Sequence, residues 1–579
     1  MSKEMNLFGG DKNNLKDIKP VFGIDLGTTN SAISVVKEGN RPENIAVDGK
    51  MTMPSCVMWK DGEFIVGEEA YEHRELSNVI YSVKRFMQTP DKEVEFAQSS
   101  SKRLKMTPAE VSAEILKGLV KKVNGVYGDI KDVVVTVPAY FNDIGRSNTR
   151  KACELAGLNM IDMINEPTAA SLCYDVVVDT EDILIFDLGG GTFDVTLARI
   201  VAGDSGDDDD DIYGFGNSSE KIITCLDTGG DGHLGGDDID LALYDIVCEK
   251  IKKNGLDPKK LTLESREKII LALERYKKAS VYDYYDVDID AKLISGQSVS
   301  VKAFIGPNDF KAALLPTYKK CKKWVDTLLN RTSNKVSKML LVGGSTKHPM
   351  LYDLLKEDYP EIEVSKGISQ DLAVSSGAAI KGKLTKFGSA DMKVFDILPI
   401  TIGINSSGRM TPIIERGSTL PCTGRAPFTT VYDNQEQMRV EILQGESKNA
   451  DKCVSLGELL FDDIPKATAG DPNLVVTLLV DANSMLKCSG SVNGISKEML
   501  LDLTGSKAKS RVYDREAKMI ERWRAAGEKM SVANASILED MIADYPNTSK
   551  HAIMDFIHDN IKVVKEKDKK THDVSLTGE

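Results

Sequence analysis

Two short stretches put an acid, then glycine, then hydroxyls directly after a run of strand-forming residues. In VFGIDLGTTNSA (21–32) Asp25 is followed by Gly27, Thr28, Thr29 and Asn30. In ILIFDLGGGTFD (183–194) Asp187 is followed by Gly189, Gly190, Gly191, Thr192 and Asp194. A tight turn needs one or two glycines, so three in a row point to a partner that approaches the backbone closely. Successive backbone N–H groups flanked by threonine hydroxyls suit a phosphate. Asp25 and Asp187 would repel the phosphate itself but suit hydrated Mg²⁺, which one or two carboxylates hold through its waters. A third glycine pair, Gly343–Gly344 with Ser345 in MLLVGGSTKHP (339–349), closes another strand at a helix start, a seat for a polar ligand. GDGHLG (230–235) has the form of a dinucleotide fingerprint, but no second strand with a ribose-binding acid follows it. No G-x-x-x-x-G-K-[ST] occurs, which excludes a P-loop.

The duplicated strand–Asp–Leu–Gly unit predicts two copies of one lobe facing each other across a cleft. Up to about residue 385 apolar runs such as DVVVTVPAYF (132–141) and DILIFDL (182–188) alternate with helical patterns, the signature of α/β architecture. PAEVSAEILKGLVKKVNGV (108–126) has the apolar spacing of an amphipathic helix, with Thr107 as its cap. From 397 to 505 short alternating runs sit between Gly, Asn and Asp turns, which predicts an antiparallel β domain. The stretch GSADMKVFD (388–396) leads into it, and apolar helical stripes fill 506–579. At 579 residues several domains are expected, and 41% hydrophobic with 28% charged residues is the balance of a globular protein. A net charge of −14 argues against nucleic acid and anionic membranes as general partners. The chain has no apolar leader and no long uninterrupted apolar run, its nine cysteines form no C-x-x-C, and its six histidines are dispersed. These features predict a cytoplasmic address, no membrane segment and no zinc site. The acidic, glycine-rich insertion at 203–221 reads as a solvated loop.

The motifs as a set resemble the 70-kDa heat-shock (DnaK-type) chaperone family, a branch of the actin and sugar-kinase superfamily. GIDLGTTNS (23–31), VVTVPAYFND (134–143), INEPTAAS (164–171), IFDLGGGTFDV (185–195), HLGGDDID (233–240), LVGGSTKHP (341–349) and SQDLAVSSGAAIKG (369–382) carry the likeness. It continues through MTPIIERGSTLP (410–421), FTTVYDNQ (428–435) and EILQGE (441–446), and the short first lobe and compact tail are most similar to the HscC-type bacterial members. The resemblance implies an actin-like two-lobed nucleotide-binding domain at 20–386 after a disordered extension (1–19). A linker (387–396), a β-sandwich peptide-binding domain (397–505) and a helical lid with tail (506–579) would follow. It implies an ATPase and molecular chaperone that uses ATP/ADP and Mg²⁺, works as a monomer and binds extended apolar segments of unfolded proteins.

By matching positions, Asp25, Glu166, Asp187 and Asp194 would surround the metal and the attacking water, Lys84 would orient that water, and Thr192 would join the catalytic group as a hydroxyl donor. Read from its helical context alone, Lys84 is an ordinary surface cation. The nucleotide contacts would extend to Gly235, Gly236, Glu274, Lys277, Lys278, Gly343, Gly344, Ser345, Lys347 and Asp371. Lys278 and Lys347 stand where the family carries adenine-stacking arginines, Val281 replaces a serine near the ribose, and lysine has no planar guanidinium for stacking. Pro138 and Arg146 would relay the nucleotide state towards Asp396 in the linker. In the β domain Ile402, Ile404, Phe428, Val431, Met438 and Val440 match the peptide cleft, although inward-facing core is an equal reading for each. Two departures stand out. The linker core is MKVFD, with a lysine inside it, which suggests weakened coupling. Asp162 occupies a position where the family has an arginine for J-domain partners, so a generic J-domain would meet like charge, and only a dedicated one would dock. The alternatives are a holdase or exchange-type co-chaperone that does not cycle, and a metabolite kinase of the same superfamily.

Overall fold

The computed structural model describes residues 20–499 apart from 38–40, 90, 100, 175–179, 202–220, 280–282, 367–369, 389–391, 462–463, 483–485 and 493–494. The expected N-terminal extension, most of the acidic insertion, Val281 and the helical lid lie outside the described residues.

Two sheets of the same topology form the first part. One runs Asn159–Asn165, Asp132–Val137, Phe22–Leu26, Asn30–Val36, Pro42–Asn44, and the other Glu363–Ser365, Lys338–Val342, Thr180–Leu188, Phe193–Val201, Lys221–Asp231. In each, three parallel strands are followed by two that fold back antiparallel. This is the duplication expected from the repeated Asp–Leu–Gly unit. The parallel strands are covered on both faces, so they read as continuous apolar runs rather than alternating ones; Ile183, Leu184, Ile185, Phe186 and Leu188 are all fully buried. Between the sheets, helices Glu166–Leu172 and Ala373–Phe387 pack on each other and share one core with Val134, Ile183 and Ile185. The helix expected at 108–126 spans Pro108–Tyr127. Thr107 and Glu110 cap it reciprocally, which satisfies two of the otherwise orphaned first-turn donors.

The linker is part of the second sheet. Met392–Phe395 runs parallel to Lys221–Asp231, with Met392 opposite Lys221 and Phe395 opposite Thr224. Alternation along a strand turns Met392 and Val394 towards the core and leaves Lys393 and Phe395 exposed. The lysine inside this stretch therefore costs the docked strand no buried contact.

The β domain is a sandwich of two four-stranded sheets. One has the order Arg409–Ile414, Ile402–Ser406, Met438–Gln444, Val454–Phe461; the other Cys422–Phe428, Leu474–Val480, Leu486–Val492, Ile495–Met499. Ile402, Ile404 and Val440 lie in its core, at most 4% exposed. Phe428 and Met438 are half-buried and pack against that core, while Val431 is 77% exposed. The six residues matched to a peptide cleft thus do not line one open groove. Three are core, two sit at its edge, and one faces solvent. PFTTVYD (427–433) is strand only as far as Phe428. All nine cysteines are free thiols, and among the described residues no helix is long and apolar enough to cross a membrane.

Candidate active site

Strand pairing explains how the two acid-bearing loops meet. Asp187 and Asp194 lie opposite each other in the Thr180–Leu188/Phe193–Val201 hairpin, so the three glycines and Thr192 form the turn between a pair of carboxylates. Asp25 comes from the equivalent strand of the other sheet and accepts a hydrogen bond from Thr136 Oγ1 at 3.0 Å. Glu166 opens helix Glu166–Leu172 immediately after strand Asn159–Asn165, where the helix dipole favours an acid. Lys84 sits in a 3₁₀ turn, Val83–Phe86, is only 5% exposed and pairs with Glu166. The surface reading of Lys84 is therefore wrong. The local pattern resembles a surface turn, but the chain buries this turn between the sheets.

One ammonium among four carboxylates, three of them buried and Asp25 half-buried, leaves the cluster short of positive charge. Burial, and next the charge of Glu166, pushes Asp25 up to about 7 and Asp194 to about 8. Burial also raises Asp187 well above the usual carboxylate range, with Glu166, Asp194 and Asp25 adding to the effect. Burial alone would lower Lys84, but the charges of Glu166 and Asp25 outweigh it and hold the ammonium above its ordinary value. Such a site gains by taking up a cation. Among the described residues no three acids, histidines or cysteines close into a direct metal cage, so a cation held through its own waters fits this donor set better.

Above the acids lies a cavity of about 580 Å³ with walls from both lobes. Of the residues expected to bind nucleotide, Asp25, Gly27, Thr28, Thr29, Asn30, Gly189, Gly190, Glu274, Lys277, Lys278, Gly343, Gly344, Ser345, Lys347 and Asp371 line it. Lys84, Glu166, Asp187 and Thr192 line it as well. The Thr28 and Thr29 hydroxyl oxygens are buried without a hydrogen-bond partner, and buried hydroxyls in that condition call for a ligand. A Cβ on Gly190 would collide with the Thr29 side chain. Gly343 has φ +84°, and a Cβ there would sit 2.6 Å from Asp187 Oδ1. Gly191, Asp194, Gly235 and Gly236 stand behind the wall rather than in it. Gly236 N donates to Gly189 O at 3.0 Å, Asp237 N donates to Gly190 O at 2.7 Å, and Asp194 accepts from Tyr140 N at 3.3 Å.

At the far end Lys278 pairs with Glu274 at 2.7 Å, Lys277 with Asp240 at 2.6 Å, and Lys347 with Asp371. Both lysines in the adenine positions are thus engaged by acids, and about half of each side chain is exposed. Sequence reasoning passed over two residues that close the two lobes together. Arg74 pairs with Glu274 and stacks on Tyr71 and Tyr81, and Arg85 reaches Asp238 at 2.7 Å and Gly191 O at 3.2 Å. The only signal was composition: arginine and tyrosine cluster on either side of Lys84.

A hydrogen-bonded route leaves the acids towards the linker. Pro138 ends strand Asp132–Val137, and the next residues form the loop whose Tyr140 N binds Asp194. Arg146, 3% exposed, donates to Ala139 O, Phe141 O and, at 2.6 Å, Asn165 Oδ1. Asn165 Nδ2 donates to Asp396 Oδ2 at 2.6 Å, and Thr168 Oγ1 donates to the same oxygen at 3.2 Å. Asp162 differs from expectation. It is 3% exposed and turned inward, where it accepts from Thr385 Oγ1 at 2.6 Å and faces Lys381 Nζ at 3.4 Å. It cannot meet the carboxylate of a surface-docked partner, because helix Ala373–Phe387 covers it.

The β domain docks on this same region. Arg416 binds Asp227 at 2.6 Å and Thr228 O, and Asp143 N donates to Gln444 Oε1 at 3.1 Å. Asp143 is buried here with Oδ2 unpartnered, and burial pushes it up to about 6 despite Arg146 nearby. A carboxyl raised by docking binds its proton more tightly in the docked state. Docking should therefore weaken as pH rises from the ordinary carboxylate range through 6 and level off above it. Amide exchange of the linker strand across that window, corrected for intrinsic rate, measures this. Asp143→Asn should flatten the profile, and an unchanged profile in that variant would reject the assignment.

Compared with models of known protein families, the chain matches the one described as Hsp70 protein over residues 21–577.

Proposed function

The chain belongs to the Hsp70 family, and from that premise we propose that it is an ATP-dependent chaperone. It binds and releases extended apolar segments of unfolded proteins, and slow Mg²⁺-dependent ATP hydrolysis gates the exchange. One observation carries this reading: the acid cluster under the cavity is joined to the linker by side chains that hydrogen-bond in series through Arg146 and Asn165. A metabolite kinase would have no use for that route or for a docked β domain.

The glycine loops and the two unpartnered threonine hydroxyls hold the phosphates. Asp25 and Asp187 would hold hydrated Mg²⁺, which supplies positive charge at the phosphate oxygens. Lys84, fixed by Glu166, orients the attacking water and offsets charge on the transferring phosphoryl group, while Asp194 stays with the loop that carries Tyr140. Phosphoryl transfer leaves the protein mainly positioning and electrostatics, and these residues provide both. Peptide would add to the sandwich edge near Met438 and Phe428 by backbone hydrogen bonds, with one apolar side chain inserted between strands. The docked linker counts against a holdase that does not cycle.

ATP turnover with and without an apolar peptide tests the proposal, and turnover that ignores the peptide would leave only the holdase. Met438→Phe should weaken binding of a leucine-centred peptide by about 1.5–3 kcal/mol, the value of one buried leucine. Unchanged peptide affinity in a folded variant would move the cleft elsewhere.

A further inference from the structure

Strand Asn159–Asn165 carries a bulge at the residue that departs from the family. Val133 pairs with Met160, but Val134 pairs with Asp162, so Ile161 is skipped. A bulge re-aims the side chain next to it. Here Asp162 turns onto the last turns of helix Ala373–Phe387, where Thr385 donates to Oδ2 and Lys381 supplies the charge. Its Oδ1 accepts from Met163 N at 2.8 Å, which fixes the carboxylate on its own strand. The same helix ends at Phe387, and the linker strand begins at Met392. Within the next six residues after Asp162, Asn165 and Thr168 bind Asp396 on the other side of the linker. One short segment, 162–168, therefore grips the chain on both sides of the linker strand. Lys381 also lines a cavity of about 40 Å³ together with Asp396 and Arg146, so the two grips border the same small space.

We infer that the Asp162–Thr385–Lys381 cluster is an internal anchor that sets the start, and hence the register, of the linker strand. Asp162 is thus a positioning residue for domain coupling rather than part of a partner-binding surface. A strand held only at Asp396 could slide along its neighbour, and a slip of one residue would turn Lys393 inward and Val394 outward. With Asp162 anchoring the preceding helix, Met392 stays opposite Lys221. The buried carboxylate is affordable because two donors and one cation meet it.

This inference rests on the coupling reading above, so its test must fail separately from it. Lys393 is exposed in the linker strand, and trypsin can cut after it only when the strand leaves the sheet. The full chain with ATP is compared as wild type, Asp162→Asn, Lys381→Met, Thr385→Val and the Asp162→Asn/Thr385→Val pair. A hydrogen bond to a buried charge is worth enough to speed cleavage after Lys393 about tenfold when it is lost, since cleavage follows the opened population. Each single variant should show that increase with nucleotide affinity unchanged, and the double variant should be no faster than Asp162→Asn alone. Cleavage at the wild-type rate, or effects that multiply in the double variant, would overturn the anchor. Thr385→Val removes one hydroxyl and keeps the test decisive if a charge variant fails to fold. Absence of any peptide effect on wild-type turnover would instead sink the coupling reading, while the cleavage rates would still judge the anchor.

Discussion

Lys84→Met is expected to cut single-turnover ATP hydrolysis by about 10²–10³, the loss of about 3–4 kcal/mol that follows removal of one preorganised transition-state group. The ammonium is buried against Glu166 and is the one cation among the causes that hold down Asp25, Asp187 and Asp194. Without it, the same carboxyls would face one another uncompensated, and at least one would take up a proton. Breaking a buried pair from one side costs about 3–5 kcal/mol, so lost activity could reflect lost folding. The Lys84→Met/Glu166→Gln pair removes both charges and separates these causes. It should melt close to wild type yet remain as slow as the single variant. Hydrolysis within about threefold of wild type in a folded Lys84→Met protein would remove Lys84 from the catalytic group.

Lys84 also shows where sequence reasoning stops. The glycine loops were legible because three consecutive glycines and a repeated acid have no simpler explanation, and Gly27, Gly189, Gly190, Gly343 and Gly344 line the cavity. The duplicated sheets followed from the same repeat, since a run with apolar residues at every position must be covered on both faces. Tertiary partners were not legible. Nothing around Lys84 indicates that its turn is enclosed, and nothing around Asp162 announces a bulge. The expectation for Asp162 treated a charged residue as a surface residue, but one donor and one cation from a helix more than 200 positions away make its burial tolerable. For the peptide-cleft residues the core and groove readings stayed inseparable for a related reason. Alternation in a sandwich strand marks the inward face, but it does not separate a filled core such as Ile402 and Ile404 from a groove wall. The cross-lobe pairs of Arg74 and Arg85 depend on how the lobes close, and only the packed chain reveals that.

Arg146→Met is expected to disconnect the nucleotide site from the peptide domain while leaving nucleotide binding intact. Arg146 touches no cavity-lining carboxylate, but it serves acceptors on both sides of the route: Ala139 O and Phe141 O in the loop that holds Asp194, and Asn165 Oδ1, whose amide holds Asp396. Burial lowers its pKa, and the charges of Asp143, Asp396 and Asp194 oppose that shift. Methionine fills similar volume but leaves Asn165 Oδ1 without a donor and Asp396, already raised by burial, without the Arg146 charge that opposes that rise. The docked linker then becomes the costlier state, because Asp396 keeps its hydrogen bonds from Asn165, Thr168 and Ile397 N but loses the positive charge that favours its ionised form there. Coupling between two sites is typically about 1–3 kcal/mol, or about 5–150-fold in response. The effect of an apolar peptide on ATP turnover should therefore shrink to about none in Arg146→Met, with basal turnover and ADP affinity within about threefold of wild type. Arg146→Lys separates charge from geometry. One ammonium cannot span the loop carbonyls and Asn165 as a planar guanidinium does, so it should restore stability and only a small part of the response. A full peptide response in a folded Arg146→Met protein would mean that the signal crosses elsewhere, with the Arg416–Asp227 contact as the next place to look.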